Sequence, residues 1–199
     1  MLSRRLGRWS TSALGGVFVS PPTLQFFNPA TSPAFRQLME YAEKNNVLIV
    51  MHLGMPKDVD ERIITHVMPK NLAEVLDEFR PYMVINGLGT PPERFSLWIR
   101  EVLRVMRKYD NTYLSTSGIN CYLFSDESAK PILNTLGSDR ILFGSGYPYR
   151  RFRDLVGDIK CVEGSDGGVG GVDKEMIMMN NALELFKYHG FRINENLST

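Results

Sequence analysis

The chain has 199 residues, 43% of them hydrophobic and 23% charged, which is enough apolar material for one buried core and excludes a disordered or fibrous protein. Its 23 Lys and Arg against 22 Asp and Glu leave a formal net charge of +1, so no global field favours nucleic acid or a membrane surface, and neither is expected as a partner. No apolar run approaches the roughly 18 residues of a membrane span. A soluble, cytoplasmic protein is expected, with Cys121 and Cys161 as reduced thiols.

Met1 to Ala13 carries Arg4, Arg5 and Arg8 with four hydroxyl residues and no acid. Such a composition resembles an organelle transit peptide; the preferred reading is a basic leader or helix stump feeding the first strand. From Leu14 to Gly190 strand-like runs alternate with helix-period segments, the pattern of a parallel α/β domain. Val17 to Val19 reads as a strand opening into a proline loop, Ser20 to Pro29, where Pro21, Pro22 and Pro29 forbid regular structure. A helix follows, capped by Thr31 or Ser32, with Pro33 in its first turn and Phe35, Leu38, Met39 and Ala42 on one face; Asn45 and Asn46 stop it. Val47 to Met51 is an unbroken apolar run of the kind covered on both faces, and it ends at His52.

The unit then recurs. Leu72, Val75, Leu76 and Phe79 form a helical stripe before strand Tyr82 to Ile85, and Ile99, Val102, Leu103 and Met106 another before strand Thr112 to Thr116. Ala129, Ile132, Leu133 and Leu136 precede strand Ile141 to Phe143. A last helix, capped by Asp173 with Met176, Met179, Leu183 and Phe186 inward, is expected outside the final strand, its methionines forming core. The glycine-rich stretch Gly164 to Gly171 lacks the Lys-Ser/Thr ending of a phosphate loop and reads as a mobile connection, and Asn194 to Thr199 as a frayed end within a tail over 191–199.

Several of these segments carry a resemblance. Gly16-Val17-Phe18-Val19-Ser20-Pro21-Pro22 with Phe27-Asn28-Pro29, Leu48-Ile49-Val50-Met51-His52-Leu53-Gly54, Met83-Val84-Ile85-Asn86-Gly87-Leu88-Gly89 and Asp110 to Gly118 are similar, in order, to the fourth to seventh strands of the amidohydrolase-2 family. These are amidohydrolase-related, aminocarboxymuconate-semialdehyde-decarboxylase-like metal-dependent hydrolases and decarboxylases. Asp139 to Pro148 is similar to the eighth strand, and Asn180 to Phe186 to the closing helix. The resemblance implies a partial (β/α)8 TIM-type barrel of about five parallel strands, without the first three, and an activity toward small carboxylated or cyclic substrates.

It also implies a site. Family members hold zinc or another divalent metal with a His-x-His pair on the first strand, histidines on the fifth and sixth, and an aspartate on the eighth. Here the last three positions read His52, Gly87 and Gly146. A zinc centre needs about three protein ligands with an open position for water, so His52 alone is expected to hold no metal, and no catalytic residue is assigned. Residues directly after parallel strands line such sites, which nominates Ser20, Gln25, Asn86, Ser117, Ser145 and Tyr147 for a small-molecule ligand. Turn capping by the serines and asparagine and packing by the tyrosine are equal alternatives.

His66 reads as a surface or packing residue, and His189 as a helix cap. Asp58, Asp60, Glu61, Asp126 and Glu127 read as loop charges or caps. An open five-strand arc leaves two edges unpaired, which predicts a homo-oligomer, completion by another chain, or aggregation. The functional expectations are therefore an amidohydrolase-type enzyme with most of its site lost, or a noncatalytic binding or subunit-association module.

Overall fold

The computed structural model describes residues 15–21, 27–54, 64, 68–86, 92–147, 151–164, 173–191 and 193, with backbone alone at 92–97 and 152. Strands β1 (Gly16–Val19), β2 (Leu48–His52), β3 (Met83–Asn86), β4 (Thr112–Ser115) and β5 (Ile141–Leu142) form one parallel sheet in chain order. The helices are α1 (Pro33–Asn45), α2 (Lys70–Leu76), α3 (Pro92–Lys108), α4 (Asn120–Ser125), α5 (Lys130–Leu136), α6 (Phe152–Glu163) and α7 (Asn181–Tyr188). A π-helical stretch, Met176–Asn180, leads into α7. The leader 1–13, Gln25, Asp58, Asp60, Glu61, His66, Gly87 and residues 165–171 of the glycine-rich stretch lie outside the described residues.

Alternation along each strand sorts the core into two faces. Val19, Ile49, Met51, Met83, Ile85, Leu114 and Ile141 pack against the outer helices, together with Leu38 and Met39 of α1, Leu72 and Val75 of α2, Val102 and Met106 of α3, and Ile132 and Leu136 of α5. Fully burying each such side chain is worth about 1.5–3 kcal/mol, which is why the helical stripes read from the sequence become the outer layer. Helix α1 shows the local logic. The Ser32 hydroxyl accepts the Phe35 N–H at 3.2 Å, Pro33 occupies the first turn, and Asn46 ends the helix in the left-handed region at φ 54°.

The opposite face carries a second cluster, Leu48, Val84, Leu142 and Leu185, with Val50, Tyr82, Tyr113 and Ala182 against it. Leu185 and Ala182 belong to α7, so the closing helix does not stay outside the final strand as expected. It crosses the edge of β5, with Ile177 in the outer core and Leu185 on the inner face. Asp173 does cap it, its Oδ1 accepting the Glu175 and Met176 N–H groups at 3.0 and 3.1 Å. The buried face nevertheless differs from the expected one. Ile177, Asn181 and Leu185 are buried, whereas Met179 and Phe186 are 37% and 38% exposed, along a segment that opens with a π turn of wider pitch.

Two further elements were absent from the sequence reading. Helices α4 and α6 pack on each other and are joined by a Cys121–Cys161 disulfide with Cα atoms 5.0 Å apart, inside the usual range for such bridges. The expectation of two free thiols is corrected: residues 40 apart in sequence meet because α4 follows β4 and α6 follows β5, and adjacent parallel strands place their following helices side by side.

Candidate functional site at the strand ends

Inner-face positions at the carboxyl ends of the strands are set by register. His52 of β2 pairs with Asn86 of β3, so imidazole and amide stand side by side on adjacent strands. The ladder continues beneath them, the Leu53 N–H donating to the Asn86 carbonyl at 2.9 Å. Behind them the buried Trp98 of α3 donates its indole N–H to the Leu53 carbonyl at 2.8 Å, fixing the backbone that carries His52. Burial with no compensating charge pushes the His52 pKa below its ordinary value, so the ring is neutral near pH 7. The Asn86 Oδ1 is buried and has no hydrogen-bond partner. An unsatisfied buried acceptor costs about 1–3 kcal/mol, and in a strand-end position it is a group that a ligand donor would satisfy.

The β4 and β5 ends are hydroxyl- and glycine-rich. Ser115 and Ser117 lie with their hydroxyls 3.1 Å apart, and the Ser115 Oγ also accepts the Ser117 N–H at 3.4 Å. A Cβ on Gly144 would fall 2.2 Å from the Ser117 Oγ and 2.6 Å from the Ser115 Oγ, so glycine there lets β5 approach the two serines. Gly144 is held from two sides: its N–H donates to Thr116 Oγ1 at 3.1 Å, and its carbonyl accepts the Asn120 amide at 2.9 Å. Gly146 has φ +72°, a left-handed conformation in which an aspartate at that position would be strained.

The other nominated residues divide. Ser20 is buried directly after β1. Ser145 caps a turn, accepting the Tyr147 N–H at 3.2 Å, and Tyr147 is 69% exposed. Asp126 is a cap as expected, taking the Ser128 N–H at 2.8 Å. His189 ends α7 and ties it to the base of β2, with its Nδ1 2.7 Å from the Asn46 carbonyl oxygen. What the sequence reading missed was Ser115, one residue inside a strand, and Asn120, whose position on a short helix became visible only when β4 and β5 were placed together.

Among the described residues no group of three or more His, Cys, Asp and Glu is arranged to hold a metal ion. The donors that the sheet does gather are one imidazole, one amide and several hydroxyls, which fit a polar organic ligand better than a zinc centre. A separate groove of about 860 Å³ lies on the outer surface between α3 and α5, lined by Ile99, Arg100, Leu103, Arg104 and Ile132 among others. It is on the helical layer, away from the strand ends. No helix among the described residues is long and apolar enough to cross a membrane.

Known proteins place this architecture. An uncharacterised TIM-barrel protein from Bordetella bronchiseptica superposes with a TM-score of 0.68 at 19% identity, over 95% of this chain and 63% of its own. A 2,6-dihydroxybenzoate decarboxylase from Rhizobium matches with a TM-score of 0.63 at 18% identity, over 93% of this chain and 66% of its own. A putative 2-pyrone-4,6-dicarboxylic acid hydrolase from Pseudomonas putida matches at 0.60 and 16% identity, over 93% of this chain and 67% of its own. This chain thus spans about two thirds of each of these structures, and identities this low establish the fold alone. No curated protein matched. The family model described as amidohydrolase matches residues 14–188, and with five parallel strands in order, covered by helices, the chain belongs to the amidohydrolase family.

Proposed function

We propose that this chain binds a small polar organic ligand at the strand ends through His52 and Asn86, and that by itself it does not perform the metal-assisted hydrolysis or decarboxylation of its family. The observation carrying this reading is the pairing of a neutral, desolvated imidazole with a buried, partnerless amide oxygen on adjacent strands. A ligand offering an N–H or O–H would satisfy Asn86 Oδ1, while His52 would accept or donate one further hydrogen bond and orient a ring beside it. Metal-dependent chemistry would require two more ligands of the His or carboxylate type beside His52, and the described strand ends present glycine and serine instead. No cofactor is assigned, and no side chain is given a catalytic role.

A combined titration tests this. Protein exchanged against excess zinc and dialysed should retain far less than one equivalent by elemental analysis. Titration with 2,6-dihydroxybenzoate, the compound named with one structural neighbour, and with the uncharged ring resorcinol should show saturable binding that is weakened at least about tenfold, or roughly 1.4 kcal/mol, by Asn86→Leu. Stoichiometric zinc lost on His52→Ala, together with carbon dioxide release from the benzoate, would replace this reading with that of a metal-dependent enzyme.

A further inference from the structure

The two edges of the sheet are not equivalent. On β5 the odd-numbered residues point their backbone groups away from β4, because the β4 amides of Leu114 and Thr116 donate to Arg140 and Leu142. Two of those outward groups are occupied. The Phe143 N–H donates to the Ile177 carbonyl at 2.9 Å, and the Asn181 amide donates to the Ile141 carbonyl at 2.8 Å. Ile177 of the π stretch and Asn181 of α7 therefore cover this edge, one of the two expected to be unpaired.

On β1 the Leu48 N–H donates to Gly15 and the register pairs Gly16 with Leu48, so the backbone groups of Gly16 and Phe18 point outward. No strand among the described residues pairs with them. The strand carries no charge between Gly16 and Val19 to guard it. Beside it lies an aromatic patch: Phe191 rests on Gly15 and Gly16, Phe186 stacks on Phe191 with ring centroids 5.2 Å apart, and Phe18 lies one pleat further along. Phe18, Phe186 and Phe191 are 52%, 38% and 40% exposed.

We propose that this edge is a dimerisation surface for a second copy of the chain, with β1 pairing antiparallel to the partner's β1 across a two-fold axis. Identical copies have two ways to join sheet edges. A head-to-tail contact of β1 on β5 would build a ring or an open filament, but it needs a free β5 edge, and that edge is covered. The isologous β1-to-β1 contact closes after two copies and uses the same patch twice. At about 200 Å² per aromatic side chain, the three exposed fractions amount to roughly 260 Å² per copy. A standard stable interface takes about 800 Å² per partner. The patch supplies about a third of that and a four-residue ladder adds to it, so the dimer is weak and concentration-dependent.

Sedimentation velocity across a wide range of chain concentrations tests it. The parent chain should shift from monomer to dimer as concentration rises, without larger species. Phe18→Lys should move the association midpoint at least about tenfold higher while its melting temperature stays near that of the parent; Val156→Lys, at an exposed apolar position on α6, should associate as the parent does. In a separate measurement that does not weaken the contact, Phe18→Cys should form a covalent dimer under oxidising conditions and Val156→Cys should not. A parent that stays monomeric at every concentration, a dimer indifferent to Phe18→Lys, or cross-linking equal at the two cysteine positions would overturn the proposal.

Discussion

At the level of single residues, His52 and Asn86 are held where neither contributes to stability in its present state. The unfolded chain's imidazole titrates near pH 6.5, and burial lowers the folded value. Between the two pKa values only the unfolded state takes up the proton, so stability is complete above about 6.5, falls as the pH drops through that value, and levels off below the folded pKa. Melting temperature followed from about pH 8 to pH 5 should show this decline, and His52→Gln should flatten it; an unchanged profile would assign the acid sensitivity to other groups. For Asn86 the expectation is opposite to that for an ordinary buried amide. Since its Oδ1 has no partner, Asn86→Leu should leave the melting temperature unchanged or raise it, because an acceptor worth about 1–3 kcal/mol of unpaid desolvation is removed. A clear drop would mean that the amide has a structural role and would count against a ligand site.

Among the elements, what the sequence made legible was whatever a regular period encodes. The apolar stripes of α1, α2, α3 and α5 and the runs of β2 and β3 emerged where their spacing placed them, since burial of those faces dominates the energetics. Three features escaped for separate physical reasons. Helix α6 carries apolar residues at helical spacing, Leu155, Ile159 and Val162, but among its described side chains only Asp158 and Val162 are fully buried, so its stripe meets little of the core. The π turn before α7 leaves no mark in residue types, and the segment buries Ile177, Asn181 and Leu185 rather than Met179 and Phe186. The disulfide depends on two helices that follow neighbouring strands, a relation that spacing along the chain does not express. That bridge closes a 40-residue separation, for which chain entropy gives about 4 kcal/mol. Cys161→Ser, or a reductant, should therefore lower the melting temperature markedly, and the untreated chain should show an intact mass lower by two hydrogens than the reduced one. Full thiol reactivity in the untreated, unfolded protein would show that the bridge does not form. Such a bridge persists where thiols are oxidised, so its presence in material isolated from its source would also bear on compartment.

For the molecule as a whole, the decisive element is Asn181. Its amide reaches both the Ser138 carbonyl at 2.6 Å and the Ile141 carbonyl at 2.8 Å, and it stands at the point where the closing segment passes from the outer core to the inner face. Removing it should have two consequences that can be separated. Two partly or fully buried carbonyls lose a donor, which costs roughly 1–3 kcal/mol and should appear as a lower denaturant midpoint with an unchanged slope. The β5 edge also loses one of its two occupants. With the β5 edge half released, the head-to-tail contact closed to the parent chain becomes open, and it builds rings or filaments rather than stopping at two copies. Asn181→Ala should therefore convert a weak dimer into slowly growing assemblies under conditions where the variant is still folded by circular dichroism. The double variant Asn181→Ala, Phe18→Lys discriminates between causes: growth through edge pairing requires β1 as well as β5 and should be suppressed by the lysine, whereas aggregation of unfolded chain would proceed regardless of position 18. Light scattering that rises equally in the single and double variants would leave Asn181 with a stabilising role alone, and the sealed edge would no longer explain why assembly stops at two copies.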